Sequence, residues 1–295
     1  MRAIGFDIGG TALKAGAIDA DGGNRVETSR ETGPDTDLER LIGLFAEIRD
    51  ELGPADRVGL GSPGLLDREG GRVLDSPNLA WMTAGPLVGP TAERLGLPRD
   101  RVAFENDANA AALGEFWLGA GSEDRSLLFV TLGTGVGGGL ILDGELVLGD
   151  GLAGEVGHFK VDPEGPPCGC GQRGCVEALA SATAARRRAV EAGLGEDLAD
   201  LNARATRGEE APRALFEAIG RDLGYGLSAT LNLLDLRTYV IGGGFSAAMP
   251  HLLPGIQRGF FEGSYGDRVG ALRISRASLG PSAGWIGAAR AALDR

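Results

Sequence analysis

Four residues in one short stretch carry ligand chemistry. All three cysteines of the 295-residue chain, Cys168, Cys170 and Cys175, fall within ten positions, and His158, one of two histidines, lies ten positions before the first. Three thiolates and one imidazole make the ligand set of a closed tetrahedral zinc site. Gly169, Gly171 and Gly174 let the loop fold back so that the sulfurs converge on one ion. An odd thiol count argues against a disulfide framework. Three free thiols clustered by chance are the alternative, and chance would not also supply the histidine. A filled shell leaves no open position, so such a metal would be structural. Glu155 and Glu177 flank the ligands. A metal-pinned loop can hold carboxylates where they accept hydrogen bonds from the hydroxyls of a neutral polyol; their spacing fits ordinary solvated surface equally well.

Asp107 is the second chemical candidate. It stands between a strand end at Glu105-Asn106 and an alanine-rich helix, where open α/β sheets bind ligands. There it can take a proton from an attacking hydroxyl while Asn106 orients the substrate; taken alone, an aspartate here reads first as a helix cap. Glycine-rich bends form the third group. Asp7 is followed by Gly9, Gly10 and Thr11, and a glycine-threonine bend between two strands can offer N–H groups to a phosphate. A shift of 123 positions aligns Phe6 with Phe129, Gly10 with Gly133, Thr11 with Thr134, Gly16 with Gly139 and Ile18 with Ile141. Two halves that each open on the same hairpin imply an internal duplication. Neither bend fits the G-x-x-x-x-G-K-[ST] phosphate loop. A fourth glycine cluster, Gly242-Gly243-Gly244, permits close approach of a flat ligand such as a nucleotide base, or is a plain strand-to-helix turn.

The elements that must position these groups follow from periodicity. Residues Arg2 to Ile8 and Leu13 to Ile18 read as strands, with a third near Val26. Thr36 to Leu52 is an amphipathic helix that Asp35 or Thr36 can cap. Arg57 to Gly61 is a buried strand ending in Ser62-Pro63-Gly64, a helix lies near Pro90 to Leu95, and Val102 and Phe104 mark the strand before the helix Ala108 to Leu118. Further on, Ala178 to Gly193 is helical, Gly195 to Ala211 is a charged exposed lobe, and Leu215 to Leu234 is a longer helix. Strands at Tyr239 to Ile241 and Leu272 to Ile274 precede a closing helix, Gly284 to Leu293. The run Arg186-Arg187-Arg188 reads as a solvated helix face.

The formal net charge of -12 repels nucleic acid and anionic membrane, so a bound phosphate must be met by backbone N–H groups and a metal ion. The chain shows no apolar run long enough to cross a bilayer and no export leader at Met1, and its thiols are expected to stay reduced in the cytoplasm.

Together these motifs resemble the ROK family of sugar kinases (repressors, open reading frames and kinases), within the sugar-kinase, Hsp70 and actin superfamily. The resemblance covers nearly the whole chain. It rests on Asp7-Ile8-Gly9-Gly10-Thr11, Glu105 to Ala112, Leu132 to Gly139, Gly154-Glu155-Val156-Gly157-His158, Cys168-Gly169-Cys170-Gly171 and Ile241 to Gly244. It implies an α/β fold of two ribonuclease-H-like domains of duplicated topology with a cleft between them, the actin-like ATPase fold. The first domain is expected over 1–108, joined by the C-terminal helix at about 280–295; the second over 109–279, with the zinc loop at 158–175 and a helical lobe at 178–215. The implied reaction is transfer of the ATP γ-phosphoryl group to a hexose 6-hydroxyl, with glucose as first acceptor and Asp107 as general base. Asn78, Asn106, Asp107, Glu155, His158 and Glu177 would hold the sugar, with one His158 nitrogen on structural Zn²⁺ and the other on a hydroxyl. Asp7 would act on Mg²⁺ or its waters, Gly9, Gly10, Thr11, Thr134 and Gly135 on the ATP phosphates, and Gly243 and Gly244 on adenosine. Relatives often carry lysine where this chain has Ala12; Lys14, two residues on and on the same side of the strand, is the expected substitute. Fructose, mannose, N-acetylglucosamine and N-acetylmannosamine are alternative acceptors, and polyphosphate an alternative donor. A silent sugar sensor and a zinc-stabilised interaction protein are the competing classes. The family's repressors carry an N-terminal helix-turn-helix, which a chain opening on its first strand is not expected to have. A homodimer or higher homo-oligomer is the family's usual state.

Overall fold

The computed structural model describes residues 1–33, 36–76, 79–266 and 270–295. The chain begins β1 (Arg2–Ile8), β2 (Ala12–Asp19), β3 (Val26–Glu31), α1 (Leu38–Leu52), β4 (Arg57–Ser62), β5 (Leu65–Asp67), β6 (Arg72–Asp75), α2 (Val88–Leu95), β7 (Val102–Asn106) and α3 (Asp107–Leu118). The pattern then restarts with β8 (Leu127–Leu132), β9 (Val136–Leu142) and β10 (Glu145–Leu146). Four helices follow: α4 (Val176–Ala180), α5 (Ala182–Glu191), α6 (Leu198–Thr206) and α7 (Glu210–Leu234). The chain ends with β11 (Thr238–Gly242), α8 (Met249–Gly263), β12 (Arg273–Arg276) and α9 (Ala283–Leu293).

Among the described residues two sheets repeat one topology. The first has the order β3-β2-β1-β4-β7 and the second β10-β9-β8-β11-β12. In each the opening hairpin is antiparallel, and the strands on its other side are parallel. The internal duplication therefore extends beyond the aligned hairpins to the whole sheet. Parallel strands need crossover helices, which places the loops after β4, β7 and β11 at one end of their sheets.

The chain divides into two compact units, residues 1–124 with 139–153 and 278–295, and residues 125–138 with 154–277. In the first, α9 rests directly on the sheet. A Cβ at Gly5 would lie 1.8 Å from the Trp285 carbonyl, and one at Gly59 would lie 1.7 Å from that of Ala288, so only glycine admits the helix. On the opposite face Phe6 meets Phe45 of α1 with ring centroids 4.5 Å apart. Glu115 of α3, fully buried, accepts N–H bonds from Ala120, Ser278 and Leu279, which ties the end of α3 to the segment entering α9. In the second unit α7 and α8 pack together, and Tyr239 of β11 lies against Phe260 of α8 at 4.6 Å.

Local details depart from the sequence reading. Helix α1 is capped by Asp37, whose carboxylate accepts the Arg40 N–H at 2.8 Å; Thr36 is not the cap, and Asp35 lies outside the described residues. The helix expected over 178–193 is two helices, because Ser181 adopts an extended backbone and caps α5 through the Ala184 N–H. The expected charged lobe contains a nine-residue helix, α6, capped by Asp197. No helix among the described residues is long and apolar enough to cross a membrane.

Candidate active site

In the first unit the candidates gather at the ends of β1 and β7. The bend after β1 is closed by the Gly9 N–H donating to the Ala12 carbonyl at 3.0 Å, and it is braced from β3's side by the Thr32 hydroxyl on the Gly9 carbonyl at 3.0 Å. Gly10 and Thr11 are exposed at its tip. The β1–β2 register pairs Asp7 directly with Lys14, and Lys14 Nζ lies 3.9 Å from the Asp7 carboxylate. Burial pushes the Asp7 carboxyl up to about 6; Lys14 opposes the rise and the nearby Asp107 adds to it. Lys14 is thus set to neutralise charge beside Asp7.

The junction between β7 and α3 is organised by Asn106. Its Oδ1 accepts the N–H groups of Ala108 at 2.9 Å and Asn109 at 3.3 Å, and its Nδ2 donates to the Gly64 carbonyl at 3.2 Å. Asn106 is therefore the helix cap, and Asp107 is the first residue of α3. The expectation that aspartate here would chiefly cap is corrected by one position, because the asparagine side chain reaches both N–H groups first. Burial raises the Asp107 carboxyl above its ordinary value, against the Ala108 N–H and the Asn106 side chain, which pull it down. A carboxylate that is poorly solvated yet fixed at a helix N-terminus is a competent proton acceptor.

In the second unit the β8–β9 bend is held down by the helices that follow the cysteine loop. The Gly133 carbonyl accepts the Ala182 N–H at 2.9 Å, the Thr134 carbonyl accepts the Thr183 hydroxyl at 2.8 Å, and Glu177 accepts the Val136 N–H at 3.0 Å. A Cβ at Gly135 would stand 2.3 Å from the Glu177 carboxylate, so a side chain there would displace Glu177 from the Val136 N–H. Beside this bend a cavity of about 350 Å³ is lined by Gly133, Thr134, Arg186, Asn202, Gly244 and Phe245, among others. Gly243 does not line it. It turns the chain after β11 at φ 79°, where an added Cβ would meet the Leu132 carbonyl at 2.3 Å.

The four expected metal ligands come together: one donor atom from each of His158, Cys168, Cys170 and Cys175 lies within 4.8 Å of the others. Cys168 Sγ is 3.7 Å from His158 Nδ1, and Cys170 Sγ is 3.8 Å from Cys175 Sγ. A tetrahedron with Zn–S bonds of about 2.3 Å has edges of roughly 3.8 Å, so the residues fit zinc as they stand. The loop needs Gly174 at φ 65°, where a Cβ would lie 1.4 Å from the Asp162 carbonyl. Burial pushes the Cys168 thiol up to about 12, and a bound dication would invert that preference. With Nδ1 turned to the sulfurs, His158 presents Nε2 toward Glu155, 3.9 Å from its carboxylate. Glu177 bridges two parts of this unit: one oxygen takes the Val136 N–H, and the other lies 3.6 Å from Cys168 Sγ.

The model of the ROK family matches residues 3–295. The chain belongs to the ROK family. Among its relatives, a Thermotoga maritima glucokinase is 35% identical, covering 100% of this chain and 98% of its own. An N-acetylmannosamine kinase of Citrobacter koseri is 38% identical over 85% of this chain and 86% of its own. A ROK family glucokinase from Streptomyces griseus, solved with glucose and AMPPNP, superposes with a TM-score of 0.79 at 34% identity, covering 98% of each chain. This ROK chain accordingly has the actin-like ATPase fold.

Some expected residues escape description or need revision. Asn78 lies outside the described residues. The arginine run is not a uniform solvated face: Arg188 pairs with Asp222 at 2.7 Å, Arg187 donates to the Ala178 carbonyl, and Arg186 lines the cavity. Sequence reasoning missed Arg68 and Asn109, both bonded to Glu105. An asparagine amid the alanines of α3 was the available signal for one; nothing local marked the other.

Proposed function

We propose that the chain is an ATP-dependent hexose kinase that transfers the γ-phosphoryl group to the 6-hydroxyl of glucose. The hydroxyl oxygen attacks the γ-phosphorus, the bond to the ADP oxygen breaks, and the hydroxyl proton passes to Asp107. The observation that carries this reading is the state of Asp107, desolvated and raised at the N-terminus of α3, in the same unit as the exposed Gly9–Thr11 bend and the Asp7–Lys14 pair. Phosphoryl transfer asks for positioning and charge neutralisation, and these groups supply both.

Asp7 would hold Mg²⁺ or its waters, which neutralise phosphate charge. Gly9, Gly10, Thr11, Thr134 and Gly135 are assigned to the phosphates, and the cavity beside Gly244 to adenosine. That cavity favours a nucleotide over polyphosphate as donor. Asn106, Glu155, His158 and Glu177 are assigned to the sugar hydroxyls, with Asn78 a further contact. His158, Cys168, Cys170 and Cys175 would hold zinc, whose part is to fix the imidazole so that Nε2 faces outward. Glucose is placed first because of the glucokinase relatives. N-acetylmannosamine is the second reading, supported by the Citrobacter koseri relative. A cytoplasmic homodimer completes the proposal, with light scattering as the measure of its oligomeric state.

The deciding experiment is ADP release from ATP and Mg²⁺ with glucose, fructose, mannose, N-acetylglucosamine and N-acetylmannosamine in turn. Glucose should give the highest kcat/KM. Sugar-independent background with all five would sink the kinase reading.

A further inference from the structure

We propose that Arg68 and Glu105 form a positioning clamp for the phosphoryl-transfer base, holding the β7–α3 junction against the β5–β6 hairpin. The proposal rests on the kinase reading above. Glu105, the residue before Asn106 on β7, is only 6% exposed. Its carboxylate receives four donors: Arg68 Nε at 3.2 Å, Arg68 Nη2, the Asn106 N–H at 2.8 Å and Asn109 Nδ2 at 2.9 Å. Arg68 immediately follows β5, and Gly64, whose carbonyl accepts Asn106 Nδ2, immediately precedes it. The hairpin thus grips the junction twice, once through each of two adjacent β7 residues.

A buried ion pair is an inefficient source of stability, since desolvation offsets most of the attraction, and apolar replacements are often neutral. What this pair does hold is geometry. Bonding of the Asn106 N–H to Glu105 fixes the peptide plane that leads into α3. Asn106 Oδ1 then holds the first turn, and Asn109, one turn on, is held by the same carboxylate. Asp107 sits between these anchors, so its carboxylate direction follows from theirs. A displacement of about 1 Å at a reacting group can lower a rate by about 10²-fold. Neither Arg68 nor Glu105 is assigned a substrate contact, so both are positioning residues.

The test is steady-state kinetics and thermal melting of wild type, Arg68→Met, Arg68→Lys, Glu105→Gln and the double variant Arg68→Met/Glu105→Gln. Arg68→Met should lower kcat by about tenfold or more, with the KM for ATP changed by less than about threefold. Lysine keeps the charge but not the fork and should restore only part of the loss. Glu105→Gln retains an oxygen for the Asn106 N–H and should lose less. The double variant should exceed Arg68→Met, because Glu105 no longer leaves a buried charge without its partner. Folded Arg68→Met and Glu105→Gln enzymes with kcat within about twofold of wild type, even at lower Tm, would overturn the clamp. If Arg68→Met does not fold, Glu105→Gln decides by the same criterion. A wild type inactive on every sugar overturns the kinase reading and the clamp with it; an active wild type with unaffected variants overturns the clamp alone.

Discussion

The two glycine-threonine bends share a backbone plan and differ in what surrounds them. At the first, Asp7 and Lys14 face each other across the hairpin. At the equivalent positions of the second, 123 residues on, stand Val130 and Gly137. The threonine at each tip, Thr11 and Thr134, is exposed; the first bend is braced by Thr32, and the second is fastened by Glu177, Ala182 and Thr183. The two copies of the hairpin therefore present different side-chain chemistry from one backbone plan. One copy carries the Asp7–Lys14 ion pair, which the proposed reaction sets against Mg²⁺ and the transferring phosphoryl group. The other has no charged residue in the bend itself; it lies beside a cavity that Arg186 lines and is pinned by Glu177 and the segment that follows the cysteine loop. Duplication preserves backbone geometry because sheet register and tight turns tolerate little change, while the side chains around the bend are free to diverge.

The largest expected effect breaks the charged half. Asp107→Asn keeps an acceptor for the Ala108 N–H but cannot take a proton, so kcat should fall by ~10²–10⁴-fold with unchanged circular dichroism. Near-normal turnover would remove Asp107 from the chemistry. Next comes the pinned half. Cys175→Ser should abolish stoichiometric zinc by metal analysis and destabilise the protein by about 4 kcal/mol or more in denaturant titration. It should also raise the KM for glucose more than that for ATP. Full zinc content in that variant would disprove the ligand set.

A finer test separates the bends themselves. An alanine at Gly10 has room, with Leu79 at 3.7 Å, but one at Gly135 collides with Glu177. Both substitutions should raise the KM for ATP, and only Gly135→Ala should also lower stability, by about 1–3 kcal/mol. Equal stabilities would show that Glu177 does not fasten the second bend. The smallest effect concerns pH. Asp7 holds its proton up to about 6 in the folded chain, against 3.8 for an ordinary aspartate. A carboxyl raised on folding contributes stability that grows as pH falls from above 6 toward 3.8, and its Mg²⁺ affinity should weaken over the same window. Lys14→Met removes the opposing charge, so the pH below which Mg²⁺ activation fades should move upward. A shift downward would show that Lys14 does not act on Asp7.

Much of this was legible in the sequence where the chemistry is local. His158 and the three cysteines lie within eighteen positions of one another, so their convergence needs only a short glycine-rich loop. The repeated hairpins were visible because strand period and bend glycines recur at one offset. Features invisible in the sequence are those whose partners lie far apart along the chain. Arg68 meets Glu105 across 37 positions and Glu177 meets Val136 across 41, and no periodicity encodes either pairing. The helix caps were also misplaced in the sequence reading, at Asp35 or Thr36 where Asp37 caps α1 and at Asp107 where Asn106 caps α3, because which of several neighbouring polar residues caps depends on the backbone conformation each adopts.

By itself, then, the amino-acid order determined the convergence of His158 and the three cysteines, the strand-bend-strand units, their duplication and the acidic residue at the strand-to-helix junction. Tertiary structure alone decided which of the polar groups are desolvated. Desolvation is what raises Asp7 and Asp107 above ordinary carboxyls, and the packing of distant segments is what buries Glu105 against its arginine and sets His158 Nδ1 toward Cys168. Ligand identity is written in residue types, but reactivity depends on the dielectric and the hydrogen-bond partners that packing brings from elsewhere in the chain.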